Sequence, residues 1–248
     1  MRAVPNARSR RRHQRPDVPE DGARAEQAPP ASKAARTRAL ILETALRLFR
    51  ERGYEETTMR AIATEAGVSV GNAYYYFQSK EHLIQAFYDR AYLEHEAAIR
   101  DLLDGYTDLE RRMVATIEAW LDVMEPYRAF AATFFKNAAD PASPLSPFSV
   151  ESAPARNASI DLWRGVIEGS NTEIADAMRD ELPELLWLYF MGIVLFWVHD
   201  PSDLAARTRL LTRRTAPMVV RGITLAQLPV MQATVSDLVA LLDELKAI

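Results

Sequence analysis

Apolar residues along this chain recur at the helical interval, and the breaks in that rhythm divide it into elements. Ser32 is suited to cap a helix N-terminus, and Leu40, Ile41, Ala45, Leu48 and Phe49 follow as one stripe that Gly53 ends. Thr57-Thr58 opens a short second helix with Ile62, Ala63 and Ala66 inward, and Gly67 closes it. Ser69 caps a third helix running to about Phe77. Ser79 caps a fourth, Lys80–Asp104, with Leu83, Ile84, Phe87, Ala91, Ile99 and Leu102 on its apolar side. Further helices are predicted over about 108–124, 126–140, 151–169, 172–182, 183–199, 203–222 and 233–246, with a loop at 140–149 where Pro141, Pro144 and Pro147 fall. No strand-like alternation and no internal repeat appear, so the expected fold is all-α.

The third helix has an odd composition for a structural element. It reads Val70-Gly71-Asn72-Ala73-Tyr74-Tyr75-Tyr76-Phe77, with a glycine and three adjacent tyrosines that cannot all point inward. The tight turn before it, Ala66-Gly67-Val68-Ser69, needs a left-handed residue that Gly67 supplies. Two short helices joined by such a turn read as a helix-turn-helix. One face of the third helix then fits a DNA major groove. Val70 and Gly71 permit close approach, Val70 methyls can meet thymine methyls, and Asn72 can pair with an adenine edge or a phosphate. Tyrosine hydroxyls and the Lys80 ammonium can hold phosphates and fix register. Ala63, Val68, Ala73 and Phe77 are expected in the core of this small unit.

The run from Thr57 to Ala63, the turn and helix Gly67–Phe77, and Ser79-Lys80-Glu81-His82-Leu83 resemble the TetR/AcrR family of transcriptional regulators. Ala45, Phe49 and Gly53-Tyr54 match that family's first helix. The resemblance is specific over roughly residues 35–85 and rests on helical layout beyond them. It implies a phosphate contact at Thr58, a base or phosphate contact at Arg60, and base-edge or close backbone contacts at Val70, Gly71, Asn72 and Tyr74. Ser69 joins this set at the helix start, and Tyr75, Tyr76 and Lys80 fall where the family holds phosphates. One departure is Val70, where many members carry a basic or polar residue, so readout here leans on shape and methyl contacts.

The overall charge of −4 looks wrong for a DNA binder, but its distribution does not. Residues 1–32 carry seven Arg against four acids, residues 33–80 eight Lys/Arg against five acids, and residues 81–248 fifteen against twenty-five. Positive charge therefore sits in the first third, where a polyanion would be met. Residues 1–32, rich in arginine and proline, read as a disordered basic arm, followed by a helix-turn-helix domain at 33–80 and a larger helical ligand-binding and dimerisation domain at 81–248. Cysteine is absent and the four histidines are scattered, so no thiolate zinc site or disulfide is available, and no metal or cofactor is expected. The longest apolar run, residues 185–198, is too short for a membrane span. A cytoplasmic protein without a membrane partner is expected. His95 and His199 have acids nearby, but helix-surface and helix-end roles account for them, and an enzyme is not expected.

The larger domain holds most of the aromatic residues. The resemblance implies a small-molecule cavity there, and apolar pockets with few polar groups are the common form. Met113, Ile117, Trp120, Phe130, Phe134, Trp163 and Ile167 are the candidate lining, with Arg128, Lys136, Asn137 and Asn157 as possible polar contributors. A hydrophobic or aromatic effector is expected. Trp187, Phe190, Met191, Val194, Trp197, Leu210, Leu211 and Val219 are too many large apolar groups for open surface, and the resemblance implies that their two helices pair with a second copy. A homodimer would read a palindromic double-stranded operator, and an effector would release it by shifting the fourth helix. The alternative is a DNA-binding regulator whose larger domain binds a protein partner or no ligand.

Overall fold

The computed structural model describes Met1 and residues 32–247, excepting the side chains of 132–134, 136, 137 and 245–247. The expected basic arm thus lies outside the described residues up to Ser32. Among the described residues the regular elements are all helices: α1 (Lys33–Arg52), α2 (Met59–Glu65), α3 (Val70–Tyr76), α4 (Lys80–Asp104), α5 (Leu109–Met124), α6 (Arg128–Ala138), α7 (Ala153–Glu168), α8 (Leu182–Val198), α9 (Ala206–Leu225) and α10 (Gln232–Ala247), besides short 3-10 turns.

The first three helices form a small unit around Ile41, Leu46, Leu48, Ile62, Ala63 and Ala73, all fully buried. Its corners are set by local chemistry. Ser32, Thr58 and Ser69 each accept a hydrogen bond from a backbone N–H three residues on, at 3.1 Å, capping α1, α2 and α3. Gly53 and Gly67 hold positive φ, at 87° and 65°, where a side chain would be strained. Ser79 does not cap α4 through its side chain; its hydroxyl instead sits 3.0 Å from His82 Nδ1.

α4 is the long connector. Its first turns pack on α1, and its later turns pack on α5 and α7. A second contact joins the small unit to the rest. Phe49 of α1 stacks on Phe130 of α6 at 5.7 Å, and Phe87 of α4 lies against both Phe130 and Tyr127. Arg90 completes this junction, pairing with Glu43 at 2.6 Å and donating to the Tyr127 hydroxyl.

Three expectations change in the structure. Residues 172–182 are not a helix: only the single 3-10 turn Asp176–Met178 forms there. Ile174 and Met178 are buried at helical spacing, yet the backbone around them stays irregular, and Leu182 already opens α8, with Pro183 in its first turn. The expected helix at 203–222 instead starts with a 3-10 turn in which Leu204 and Ala205 are left-handed, and α9 then runs through Pro217 and past Gly222 to Leu225. Leu40 and Leu102, expected on inner faces, stand 50% and 43% exposed: Leu40 lies on the outer side of α1 beside buried Ile41 and Leu42, and Leu102 is in the last turn of α4.

The α8–α9 corner is held by Asp200. Its carboxylate accepts from the backbone and side chain of both Ser202 and Thr208, at 2.6–2.9 Å, which keeps it well below the usual carboxylate range despite burial. A second buried charge, Arg112, closes the other end of the bundle. It donates to the carbonyls of Leu103, Tyr106, Gly165 and Val166 at 2.7–3.0 Å, fastening the ends of α4 and α7 to α5.

Candidate nucleic-acid interface

α3 has two faces of different kinds. Ala73 and Phe77, four residues apart, point inward at 0% and 2% exposure. Val68, in the turn, is half-buried against the same core and its N–H bonds the Ala63 carbonyl at 3.0 Å. On the outer face Val70, Tyr74 and Tyr75 are 36%, 48% and 80% exposed. Nothing lies within 4 Å of where a Cβ at Gly71 would stand, so the helix backbone is open there. Tyr76 is half-buried and its ring meets Tyr75 edge-on at 5.2 Å. Asn72 is half-buried, its backbone N–H taken by Ser69. Val70, Gly71, Tyr74 and Tyr75 therefore share one open surface, with Ser69 and Asn72 at its start.

The charge around this surface is selective. Arg47 and Arg52 are spent on Glu51 and Glu65 at 3.0–3.3 Å, and hydrogen bonds from Arg47 hold the Glu65 carboxyl below its ordinary value. Arg50 lies over the Tyr127 ring, toward the junction with α6. Arg60, in the first turn of α2, is exposed and has no ion pair among the described residues. Thr58 is exposed beside it, its hydroxyl oxygen accepting from Ala61 N–H. Arg38 lies over the Phe77 ring at 4.8 Å, placing an exposed cation against the end of α3. The apolar stripe of α1 gives no hint of Arg38. A cation at an outer α1 position, facing a short aromatic helix, was the available signal.

Lys80 has a structural role that spacing did not suggest. Its ammonium donates to the Tyr54 carbonyl at 2.7 Å and lies 4.3 Å from the Tyr54 ring centre. The Tyr54 hydroxyl in turn donates to Glu81 at 3.0 Å, and burial pushes that phenol up. These bonds tie the start of α4 to the turn after α1, so Lys80 is an anchor between them.

The candidate effector residues do not form one group. Met113 and Ile117 are fully buried on the α5 face that also carries Trp120. Trp120 lies edge-on to Phe190 at 5.1 Å and to Trp197 at 5.0 Å, while Trp163 meets Phe190 at 5.9 Å. Ile167 is buried on α7. Phe130 is elsewhere, in the junction with Phe49 and Phe87. The Phe134 side chain lies outside the described residues, as do those of Lys136 and Asn137. Arg128 holds the Asp200 and Ser202 carbonyls, and Asn157 is exposed. An open cleft of about 430 Å³ does exist, but between α5 and α9, lined by Tyr106, Glu110, Val114, Glu118 and Arg213 among others. None of the expected lining residues takes part in it.

The candidate pairing residues divide by face. Trp187, Phe190 and Trp197 are 1–5% exposed and belong to the chain's own core. Met191, Val194, Leu211 and Val219 are half-buried against it. Leu210 alone of the expected set is open, at 57%. The apolar groups left outside on α8 are Leu188, Leu195 and Phe196, and on α9 they are Leu210, Met218 and Leu225. The alternation of inward and outward groups, invisible in an almost wholly apolar run, decides which side chains remain available. His95 is buried and donates to the Thr116 carbonyl at 2.8 Å, with burial lowering its pKa to about 4; His199 bonds the Leu195 carbonyl. His95, expected on a helix surface, is instead spent inside between α4 and α5, and the exposed His199 sits at the end of its own helix.

Comparison with known proteins agrees with this layout at two levels. Residues 41–87 match the family model described as bacterial regulatory proteins of the tetR family, and residues 112–242 match the tetracyclin repressor-like C-terminal domain. The chain is 41% identical over 68 residues to the HTH-type transcriptional regulator TtgR of Pseudomonas putida, covering 27% of this chain and 32% of the relative. It is 34% identical over 83 residues to the HTH-type transcriptional repressor KstR2 of Rhodococcus jostii, covering 32% and 41%. The matched stretch thus spans about a third to two fifths of these relatives' length. Among solved structures, a TetR regulator from Nitrosomonas europaea aligns with a TM-score of 0.58 at 21% identity, over 73% of this chain and 96% of that one. The fatty acid degradation regulator FadR of Bacillus halodurans aligns at 0.55 and 18% identity, over 72% and 96%. At these identities the two structures share the fold.

Proposed function

The chain belongs to the TetR family of bacterial transcriptional regulators, and from that premise we propose that it binds a palindromic DNA operator as a homodimer and is released from it by a small, hydrophobic effector. The observation that carries the DNA reading is the outer face of α3. Three groups, Val70, Tyr74 and Tyr75, stand open beside a bare backbone at Gly71, while the opposite face is fully packed. Val70 and the Gly71 backbone approach base edges, Asn72 and Tyr74 flank them, and Tyr75 and Tyr76 reach phosphates. Thr58, Arg60 and Arg38 supply phosphate contacts on either side. Lys80 reaches a phosphate only in addition to holding Tyr54.

One α3 spans few base pairs, so a second copy is needed for a specific site. The open apolar groups of α8 and α9 supply the surface: Leu188, Leu195 and Phe196 on one helix, Leu210, Met218 and Leu225 on the other. Exposed Gly192 and Gly222 let backbones approach there. The two reading heads would lie about 34–36 Å apart, one turn of the duplex. The protein acts in the cytoplasm, where its DNA lies; no single helix among the described residues is long and apolar enough to cross a membrane.

Release works by population shift. An effector among α5, α7 and α8 favours one placement of α4, and α4 carries the head. The Phe49–Phe130 stack gives a second link, because α6 touches α1 directly. An effector does this only through different affinities for the two placements. The close packing of Trp120, Trp163, Phe190 and Trp197 favours a second reading, in which the larger part binds no small molecule. Selection from a random duplex library tests the first claim. Enriched sequences are expected to contain an inverted repeat, and enrichment of single half-sites by a monomer would overturn it.

A further inference from the structure

α1 begins well before it packs. Its first two turns, Lys33–Leu40, hold no buried residue; Ile41 is the first, and Thr37 is half-buried, its hydroxyl donating to the Lys33 carbonyl at 3.0 Å. The helix thus runs about 12 Å, at about 1.5 Å per residue, ahead of its first core contact. This tip carries exposed Lys33, Arg36 and Arg38, and no acid precedes Glu43 on the helix. Lys33 and Arg36 stand in the first turn, where the helix dipole disfavours cations, so they weaken α1 rather than support it. Arg38, over the Phe77 ring at 4.8 Å, sets the tip against the C-terminal end of α3.

Before Ser32 the sequence divides by charge. Residues 1–16 hold six Arg and no acid, five of them within Arg8–Arg15, whereas residues 17–31 hold four acids against Arg24 alone. A polyanion attracts the first stretch and the α1 tip, and repels what lies between them. The arginine cluster is therefore suited to a place on the polyanion separate from the tip's. The sixteen residues 16–31 reach at most about 55 Å, more than one duplex turn of about 34–36 Å. The acidic residues 81–248 are a poorer partner for the cluster. Glu118, Asp122, Glu125, Asp161 and Asp176 already pair with arginines of that same region. Duplex DNA presents a negative charge about every 1.7 Å, and the cluster joins the fold on the α3 side.

We propose that the Arg8–Arg15 cluster is a second DNA contact, taking the phosphates of duplex that flanks the stretch covered by the helix-turn-helix, with Lys33 and Arg36 of the α1 tip holding phosphates at the edge between the two. This rests on the reading of α3 as the DNA-facing helix. The work is then divided. The outer face of α3 reads sequence, and the cluster adds affinity that depends on flank length and salt but not on the flank's sequence. Guanidinium groups suit that task, since each can take a phosphate through two parallel N–H bonds.

The test uses the full chain and a duplex enriched from the random library, either trimmed to the helix-turn-helix footprint or extended on each side by about one turn of unrelated sequence. Affinity for both is measured against salt. The full chain is expected to bind the long duplex about tenfold more tightly, with a salt slope steeper by about 2 or more, at about 0.9 per phosphate. Replacing Arg8, Arg10, Arg11, Arg12 and Arg15 together by Gln is expected to abolish both differences while leaving short-duplex binding in place. Lys33→Gln with Arg36→Gln is expected to leave Tm unchanged or higher, and yet to lower the salt slope by about 1–2. A merely structural role for the tip would not part those two readouts. A full chain indifferent to the flanks, a five-Gln variant that keeps the flank gain, or a tip variant with an unmoved slope would each overturn the proposal. Tighter DNA binding by the five-Gln variant would also overturn it, and place the cluster on the chain's own acids. Short-duplex binding with no flank gain sinks this inference alone, whereas failure to bind any duplex sinks the reading of α3 with it.

Discussion

α3 and α8 both carry crowded aromatic and apolar residues, yet they leave different chemistry outside. α3 exposes tyrosines beside a small aliphatic group and a bare glycine, whereas α8 buries its tryptophans and exposes leucine and phenylalanine. A tyrosine on the surface keeps a hydroxyl for a polar partner, and its ring still gives contact area. A leucine or phenylalanine there offers nothing that water or a phosphate can use. The first face suits nucleic acid; the second suits another apolar face. The kind of group left outside, more than the number of apolar residues, distinguishes the face proposed to meet DNA from the face proposed to pair.

The comparison is broken most severely by charging the second face. Leu195→Glu combined with Leu210→Glu is expected to give a folded monomer by sedimentation and to weaken operator binding by about a hundredfold or more, because the second head loses its local concentration. A dimer that persists would remove α8 and α9 from the interface.

Acid separates the two regions next. His95 is buried on α4 with a pKa near 4, while the only other histidine of the α1–α4 half, His82, is exposed. The unfolded chain takes up a proton below about pH 6.5 and the folded one only near 4. Stability therefore holds above pH 6.5 and falls between 6.5 and 4, by up to about 3 kcal/mol. His95→Gln is expected to flatten urea midpoints across that window, and an unchanged slope would count against a neutral buried imidazole.

Lys80 and Tyr75 divide anchoring from contact within the head itself. Lys80→Met removes the bond to the Tyr54 carbonyl and is expected to cost about 1–2 kcal/mol of stability, read as a lower Tm. Tyr75→Ala is expected to leave Tm nearly unchanged, within about 0.5 kcal/mol, since the ring is mostly in solvent. Its effect appears on DNA, as a loss of about 1 kcal/mol, or roughly fivefold, on every sequence tested. The smallest effect belongs to Arg60→Ala, which is expected to lower the slope of log affinity against log salt by about 0.9. A slope that does not move would place Arg60 away from phosphate.

Much of this contrast was legible in the order of residues. The caps Ser32, Thr58 and Ser69, the turn glycines Gly53 and Gly67, and the inward pair Ala73 and Phe77 all act locally, within a turn or two of chain. Such signals survive without tertiary information. What was not legible depended on contacts across the fold. The Lys80–Tyr54 bond joins residues 26 apart, and Arg38 meets Phe77 from another helix. In α8 the almost unbroken apolar run hides which side faces inward, so Trp187, Phe190 and Trp197 could not be told from Leu188, Leu195 and Phe196. The helical spacing of Ile174, Met178 and Leu182 predicts a helix at 172–182 that does not form, and the left-handed Leu204 and Ala205 follow from how Asp200 closes the corner rather than from their own preferences.

The central claim is that two outward α3 faces read one duplex. Hydroxyl-radical footprinting of the full chain on DNA flanking its own coding region tests it most directly. Two symmetric protected patches about one turn apart are predicted, both weakened together by Tyr75→Ala. A single patch, or two patches indifferent to that substitution, would contradict it.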